Sequence, residues 1–320
     1  MTSKERVLRA VEFRKPDRVP YLLFNFNFHE SDFAGCGAWQ SLNFNPKKAG
    51  ETEWGYVWKT LDETMGQPEN IVIDDISQAG KYKAPDPDDV TRYRGMQSAC
   101  DNNKDKFLLG SMGISGFTTA TFLAGFENVL EALYSDRKNF LVLMNKVMDY
   151  ENAVIKNLLK YDIDAIGFAD DWGMQHTLMI DPKMWREVFK PLYKKQFDII
   201  KKAGKKVYFH SCGYVFDIIG DLIEIGVDMF NFNQPDVMGI ERLGQNFGGK
   251  VCFVCPVDVQ TTAITGNKKK IYEYTQKLID NFGRYNGGFI GYVEDYSSLN
   301  MPKENTKYCY DALKELGCYK

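Results

Sequence analysis

The sequence predicts a closed (β/α)₈ barrel. Strand and helix patterns alternate through the second half of the chain, and such alternation implies a parallel sheet. Eight candidate strands can be placed over 320 residues, the number and length of a barrel with an outer ring of helices. No G-x-G-x-x-G follows a strand and no Walker A pattern occurs, so an open nucleotide-binding sheet lacks its usual support.

An amphipathic helix opens the chain, and residues 19–26 form the first strand. Apolar runs at 71–76 and 107–112 supply the second and third. Residues 164–169 form the fourth, followed by a helix with Asp181 as cap and Pro182 in its first turn, running to about Ala203. Residues 206–210 lead to a helix over 215–225, and 227–232 to a short helix around Ile240, Arg242 and Leu243. Residues 251–255 lead to a helix over 269–282, and 288–293 to a last helix after Pro302. The chain reads as one domain over 1–320. The stretch from about 28 to 90 is long for a strand connection and is expected to form a lid over the barrel mouth.

Composition narrows the class. At 44% hydrophobic, 26% charged and a net charge of −3, the chain reads as globular, with material for a large core. The densest basic run, Lys268 to Lys270, suits a solvated helix start, so nucleic acid is not an expected partner. No apolar stretch approaches the roughly 18 residues of a membrane span and no signal-peptide pattern opens the chain, which places the protein in the cytoplasm. Seven irregularly spaced cysteines argue for reduced thiols, some of them available to a metal. The surface pattern leaves the oligomeric state open, a homodimer included.

The segment Val207-Tyr208-Phe209-His210-Ser211-Cys212-Gly213 is the strongest chemical signal. A strand turns alternate side chains to one face, so His210 and Cys212 point the same way while Ser211 points away. An imidazole beside a thiolate is half of a zinc site, and a strand histidine beside a buried free thiol is the plainer alternative. Loops after barrel strands converge on one face, which makes the strand ends a roster of site candidates. They supply Asn25, Asn27, His29 and Glu30, then Asp170, Asp171, Trp172, Gln175 and His176, then His210 and Cys212. Later strand ends add Asn231, Asn233 and Gln234, then Cys255 and Asp258, then Tyr292, Glu294 and Asp295. Asp170 or Asp171 alone would equally suit a helix or turn cap.

Several blocks resemble the uroporphyrinogen decarboxylase-like superfamily, and the resemblance covers nearly the whole chain. They are Arg6-x-x-Arg9-Ala10, Pro16-Asp17-Arg18-Val19-Pro20, Trp54-Gly55, Asp62-Glu63-Thr64-Met65-Gly66-Gln67-Pro68, Gly125-Phe126-Glu127-Asn128, Asp170-Asp171-Trp172-Gly173, His210-Ser211-Cys212-Gly213, and Ile223-Glu224-Ile225-Gly226-Val227-Asp228. Within the superfamily the chain looks closer to the corrinoid-dependent methyltransferases, O-demethylases included, than to the true decarboxylase. A decarboxylase holding a polycarboxylate porphyrinogen calls for arginine donors, and the segment Phe24-Asn25-Phe26-Asn27-Phe28-His29 carries none.

The resemblance implies zinc held by His210, Cys212 and a further cysteine. The family's last-strand cysteine is missing here, where the chain reads Gly291-Tyr292-Val293-Glu294-Asp295-Tyr296. Cys255 is the expected replacement, with Glu294 as an oxygen donor. The implied activity is methyl transfer between a small methylated substrate (a methoxyaromatic, a methylamine or a thiol) and a corrinoid protein. The methylcobamide is expected on the partner, since no Asp-x-His-x-x-Gly signature occurs. Asp170 or Asp171 is expected to orient substrate or shuttle a proton, with Asn25, Trp172, Gln234 and Tyr292 lining the substrate site. The alternatives are a metal-free decarboxylase of tetrapyrrole biosynthesis and a non-catalytic partner in a corrinoid pathway.

Overall fold

The structure is a computed structural model that describes residues 1–24, 28–60 and 66–319. Eight parallel strands form a nearly closed barrel: β1 (Tyr21–Phe24), β2 (Phe33–Gly37), β3 (Phe107–Ile114), β4 (Ala165–Ala169), β5 (Lys206–His210), β6 (Met229–Asn231), β7 (Cys252–Cys255) and β8 (Phe289–Glu294). Ladders run β1-β8-β7-β6-β5-β4-β3-β2, and among the described residues the β1–β2 edge carries no ladder. The (β/α)₈ expectation holds, and helices Pro182–Lys202, Phe216–Ile225, Ile240–Phe247, Lys268–Leu278 and Lys303–Leu316 follow β4 to β8 as expected. Asp181 caps the first of these by accepting from the backbone N–H groups of Lys183 and Met184.

One strand assignment is corrected. Residues 71–75 form no strand, because the N–H groups of Val72 and Ile73 both donate to the Leu123 carbonyl near the end of helix Gly116–Ala124. The second barrel strand is instead Phe33–Gly37, inside the stretch expected to be lid, and it pairs with β3 over its whole length. Its Phe-Ala-Gly-Cys-Gly sequence lacks the β-branched and aromatic pattern that marks a strand.

The barrel's lower end is closed by the opening helix α1 (Ser3–Val11). Its Val7, Ala10 and Val11 pack against Phe33, Phe107 and Ile290 in the barrel interior. Asp32, fully buried, locks this floor. Its carboxylate accepts from Ser3, from the guanidiniums of Arg6 and Arg18, and from the Tyr21 backbone. Arg6 also forks onto Asp17. The Arg6 and Pro16-Asp17-Arg18 blocks are therefore the floor's fastening, on the face opposite the strand ends. Among the described residues, no helix is long and apolar enough to cross a membrane.

Candidate metal centre at the barrel mouth

In a parallel sheet, residues in register show their side chains to the same face. Ala169, His210, Asn231 and Val254 form one such row across β4 to β7. Tyr208, two residues before His210, packs in the interior cluster, so His210 also faces inward, at the upper rim. Its Nδ1 lies 2.7 Å from Asn231 Oδ1, while Asn231 Nδ2 donates to the Val254 carbonyl at 2.8 Å. That second bond fixes the amide with its oxygen toward the ring, so Nδ1–H donates to it and the Nε2 lone pair points into the mouth.

Two further donors meet that lone pair. Cys212 Sγ lies 3.4 Å from His210 Nε2, and Asp171 Oδ1 lies 3.7 Å from it. Asp171, His210 and Cys212 each offer a ligand atom within 4.8 Å of the other two. Zinc–nitrogen and zinc–sulfur bonds of about 2.0 and 2.3 Å at a tetrahedral angle put the two donors about 3.5 Å apart, so the observed spacing fits one shared ion. The donor types and the amide behind the imidazole fit zinc as well. Burial, with Asp171 adding to it, pushes the Cys212 thiol up to about 12, so a nearby cation would be needed to hold it as thiolate.

The backbone explains how Asp171 arrives there. The loops after β4 and β5 touch main chain to main chain: Gly173 N–H donates to the Cys212 carbonyl and Tyr214 N–H to that of Met174. A Cβ on Gly173 would collide with the backbone of residues 212–214, so this approach requires glycine. It lets Asp171 Oδ1 accept from Cys212 N–H at 2.7 Å. Gln234 Oε1 accepts from Gly213 N–H at 3.1 Å and steadies the same turn.

Three expected site residues lie elsewhere. Asp170, adjacent to Asp171, points the other way and is fully buried. It accepts from Phe117 and Thr118 at the start of helix Gly116–Ala124 and from the Tyr193 hydroxyl. Burial pushes its carboxyl up to about 7 against the pull of those donors. Trp172 is also fully buried. It stacks on Phe117 at 4.6 Å and donates from Nε1 to Tyr193, so its ring belongs to the core and lines no substrate space. Cys255 is one step out of the row that carries His210, opposite Gly291, where a Cβ would press on Leu313 of the outer helix. Its thiol therefore faces the helical layer, away from His210 and Cys212. The carboxylate of Asp171 stands where a third ligand was expected from Cys255.

Glu294 sits at the inward end of β8, and Tyr292 donates to its Oε2 at 2.5 Å. Tyr292 and Tyr208 line a cavity of about 520 Å³ below the mouth. Asn25 lies outside the described residues. His29 and His176 are exposed and are not in the trio. Tyr208 escaped the reading of the strand ends, although its spacing of two from His210 signals the shared face.

A family model and one solved structure fit this architecture. The family model for Uroporphyrinogen decarboxylase (URO-D) matches residues 63–316. Among solved structures, a methyltransferase from Methanosarcina mazei superposes with a TM-score of 0.72 at 14% identity, over 98% of this chain and 99% of that one. A glycoside hydrolase family 10 xylanase from Gloeophyllum trabeum gives a TM-score of 0.44 at 12% identity, over 72% of this chain and 83% of that one. The 3-keto-D-glucoside 4-epimerase of E. coli gives 0.44 at 11%, over 69% and 84%. No curated protein matches the chain significantly. With its (β/α)₈ barrel and the match over residues 63–316, the chain belongs to the uroporphyrinogen decarboxylase family.

Proposed function

We propose that the protein is a zinc-dependent methyltransferase that moves a methyl group between a small methylated substrate and a corrinoid carried by a partner protein in the cytoplasm. The observation that carries this reading is the convergence of Asp171, His210 and Cys212 at the mouth, with Asn231 setting the imidazole. The fold likeness to the Methanosarcina mazei methyltransferase is consistent with it.

Asp171, His210 and Cys212 would hold the zinc, which when bound supplies Lewis acidity to the oxygen, nitrogen or sulfur that releases or receives the methyl group. The chain's own residues do the rest. Asn231 holds the imidazole with Nε2 forward, and Gln234 holds the Gly213 turn so that Cys212 keeps its place. Glu294, hydrogen-bonded by Tyr292, stands at the inward end of β8 to orient the substrate or take up a proton. Asp170 acts as a positioning residue, tying the loop after β4 to helix Gly116–Ala124 and Tyr193. Among the described residues lining the cavity beneath the mouth there is no arginine and a single lysine, Lys106, which disfavours a polycarboxylate porphyrinogen.

The test is absorbance-monitored methylation of reduced cobalamin by zinc-loaded protein, offered methoxybenzenes, methylamines and methyl thioethers in turn. Methylcobalamin should form with at least one donor and vanish in His210→Ala. Turnover of a porphyrinogen with no methylation would reverse the assignment in favour of a decarboxylase.

A further inference from the structure

The interior of a (β/α)₈ barrel is normally packed solid by successive layers of side chains. Here the lowest layer is packed, with Phe33, Phe107 and Ile290 resting on α1. The layer above it is not. Its inward positions include Leu22, Gly35, Leu109, Tyr208 and Tyr292, and the glycine stands where a large side chain would fill the centre. A Cβ built on Gly35 meets none of the described residues within 4 Å, and the backbone there does not need glycine's special conformations. The space left is the cavity of about 520 Å³, which also reaches between β1 and β2 to Leu23, Ala34 and Cys36. A second cavity of about 470 Å³ shares Phe24, Gly35, Cys36 and Ser111 with it and continues to the exposed Trp39.

Two features mark this space as a ligand chamber. Tyr208 is more than nine-tenths buried, lines the chamber, and its hydroxyl makes no hydrogen bond among the described residues. The hydroxyl is not sealed among other side chains but opens into the chamber, where it is free to donate to a group that enters. Among the described residues the walls are otherwise mainly apolar, with no carboxylate and one cation, Lys106, which donates to the His29 carbonyl at 3.2 Å. An apolar cavity of about 150 Å³ already takes up benzene, so a substituted single ring fits here with room to spare, whereas a methylamine or small thiol would leave most of it empty.

We propose that this chamber, one layer below His210, binds the part of the substrate that keeps its place when the methyl group leaves. That part is a single aromatic ring, with an oxygen substituent that accepts a hydrogen bond from Tyr208. Gly35 is the specificity-determining position that keeps the chamber open. The proposal rests on the methyl-transfer reading for its choice of substrate, while the chamber itself can be tested by binding alone.

The experiment is calorimetric titration of zinc-loaded protein with 2-methoxyphenol, without any corrinoid, for the wild type, Gly35→Phe, Gly35→Val and Tyr208→Phe. Zinc content and circular dichroism are checked for each, and the smaller valine serves if phenylalanine disturbs folding. Filling the chamber at position 35 should weaken binding by about tenfold or more, and losing the Tyr208 hydroxyl by about fivefold, with zinc retained. Equal affinity in all four folded proteins, or no binding by the wild type up to the solubility of the probe, would overturn the chamber. Position-dependent binding with no methylation of cobalamin would keep the chamber and overturn the methyl-transfer reading instead.

Discussion

Asn231 shows how much of the site is decided by a residue that holds no ligand atom toward the metal position. By fixing His210 Nδ1–H it leaves Nε2 free to face Cys212 and Asp171, and Asn231→Leu should weaken zinc affinity by about 10–100-fold in a competitive chelator titration. His210 and Cys212 were legible in the sequence because alternation along a strand fixes their common face. Asp170 and Asp171 were not separable there. Adjacent carboxylates at a strand end take opposite sides, and only the packing of helix Gly116–Ala124 shows which is swallowed by the core. Cys255 misled for a related reason: its place at a strand end suggested the mouth, but its register sets it among the outer helices.

At the scale of elements, β2 and helix Gly116–Ala124 carry the lessons. A strand of Phe-Ala-Gly-Cys-Gly bears no periodic signal, while the apolar run at 71–73 mimics one and in fact caps a helix end. Both errors come from tertiary hydrogen bonding overriding local pattern. Helix Gly116–Ala124 also makes stability depend on pH. Glu151 is almost fully buried, accepts from Gly116 N–H and Gln196, and is pushed by burial up to about 8, while Asp170 is pushed up to about 7. Both groups bind protons more tightly folded than unfolded, so their contribution is complete below the ordinary carboxyl range. It is lost as pH rises through about 7 to 8. Thermal midpoints measured from pH 5 to 9 should fall with rising pH, and Glu151→Gln should flatten that fall. A midpoint that rises over this range would contradict the assignment.

For the whole molecule, the barrel has a fastened floor and a rim that carries the candidate site, and the sequence mixes the signals of both. The Arg6 and Pro16-Asp17-Arg18 blocks marked the family, yet they serve the buried Asp32 at the lower end. Without Asp32, Arg6 keeps Asp17 and Arg18 is partly exposed, but Ser3, the Tyr21 N–H and one face of each guanidinium lose their acceptor, so Asp32→Ala should cost about 2–3 kcal/mol in denaturant unfolding and leave the geometry of the rim intact. The barrel class was readable because its later strands and helices alternate regularly. The central claim is that Asp171, His210 and Cys212 form one zinc site at the rim. Its most direct test is zinc stoichiometry by elemental analysis of the wild type beside Asp171→Ala, His210→Ala, Cys212→Ala and Cys255→Ala. About one zinc per chain is expected, lost in the first three variants and kept in Cys255→Ala. A wild type that holds no zinc after purification with metal and reductant would contradict the account, as would loss of zinc in Cys255→Ala with retention in Asp171→Ala.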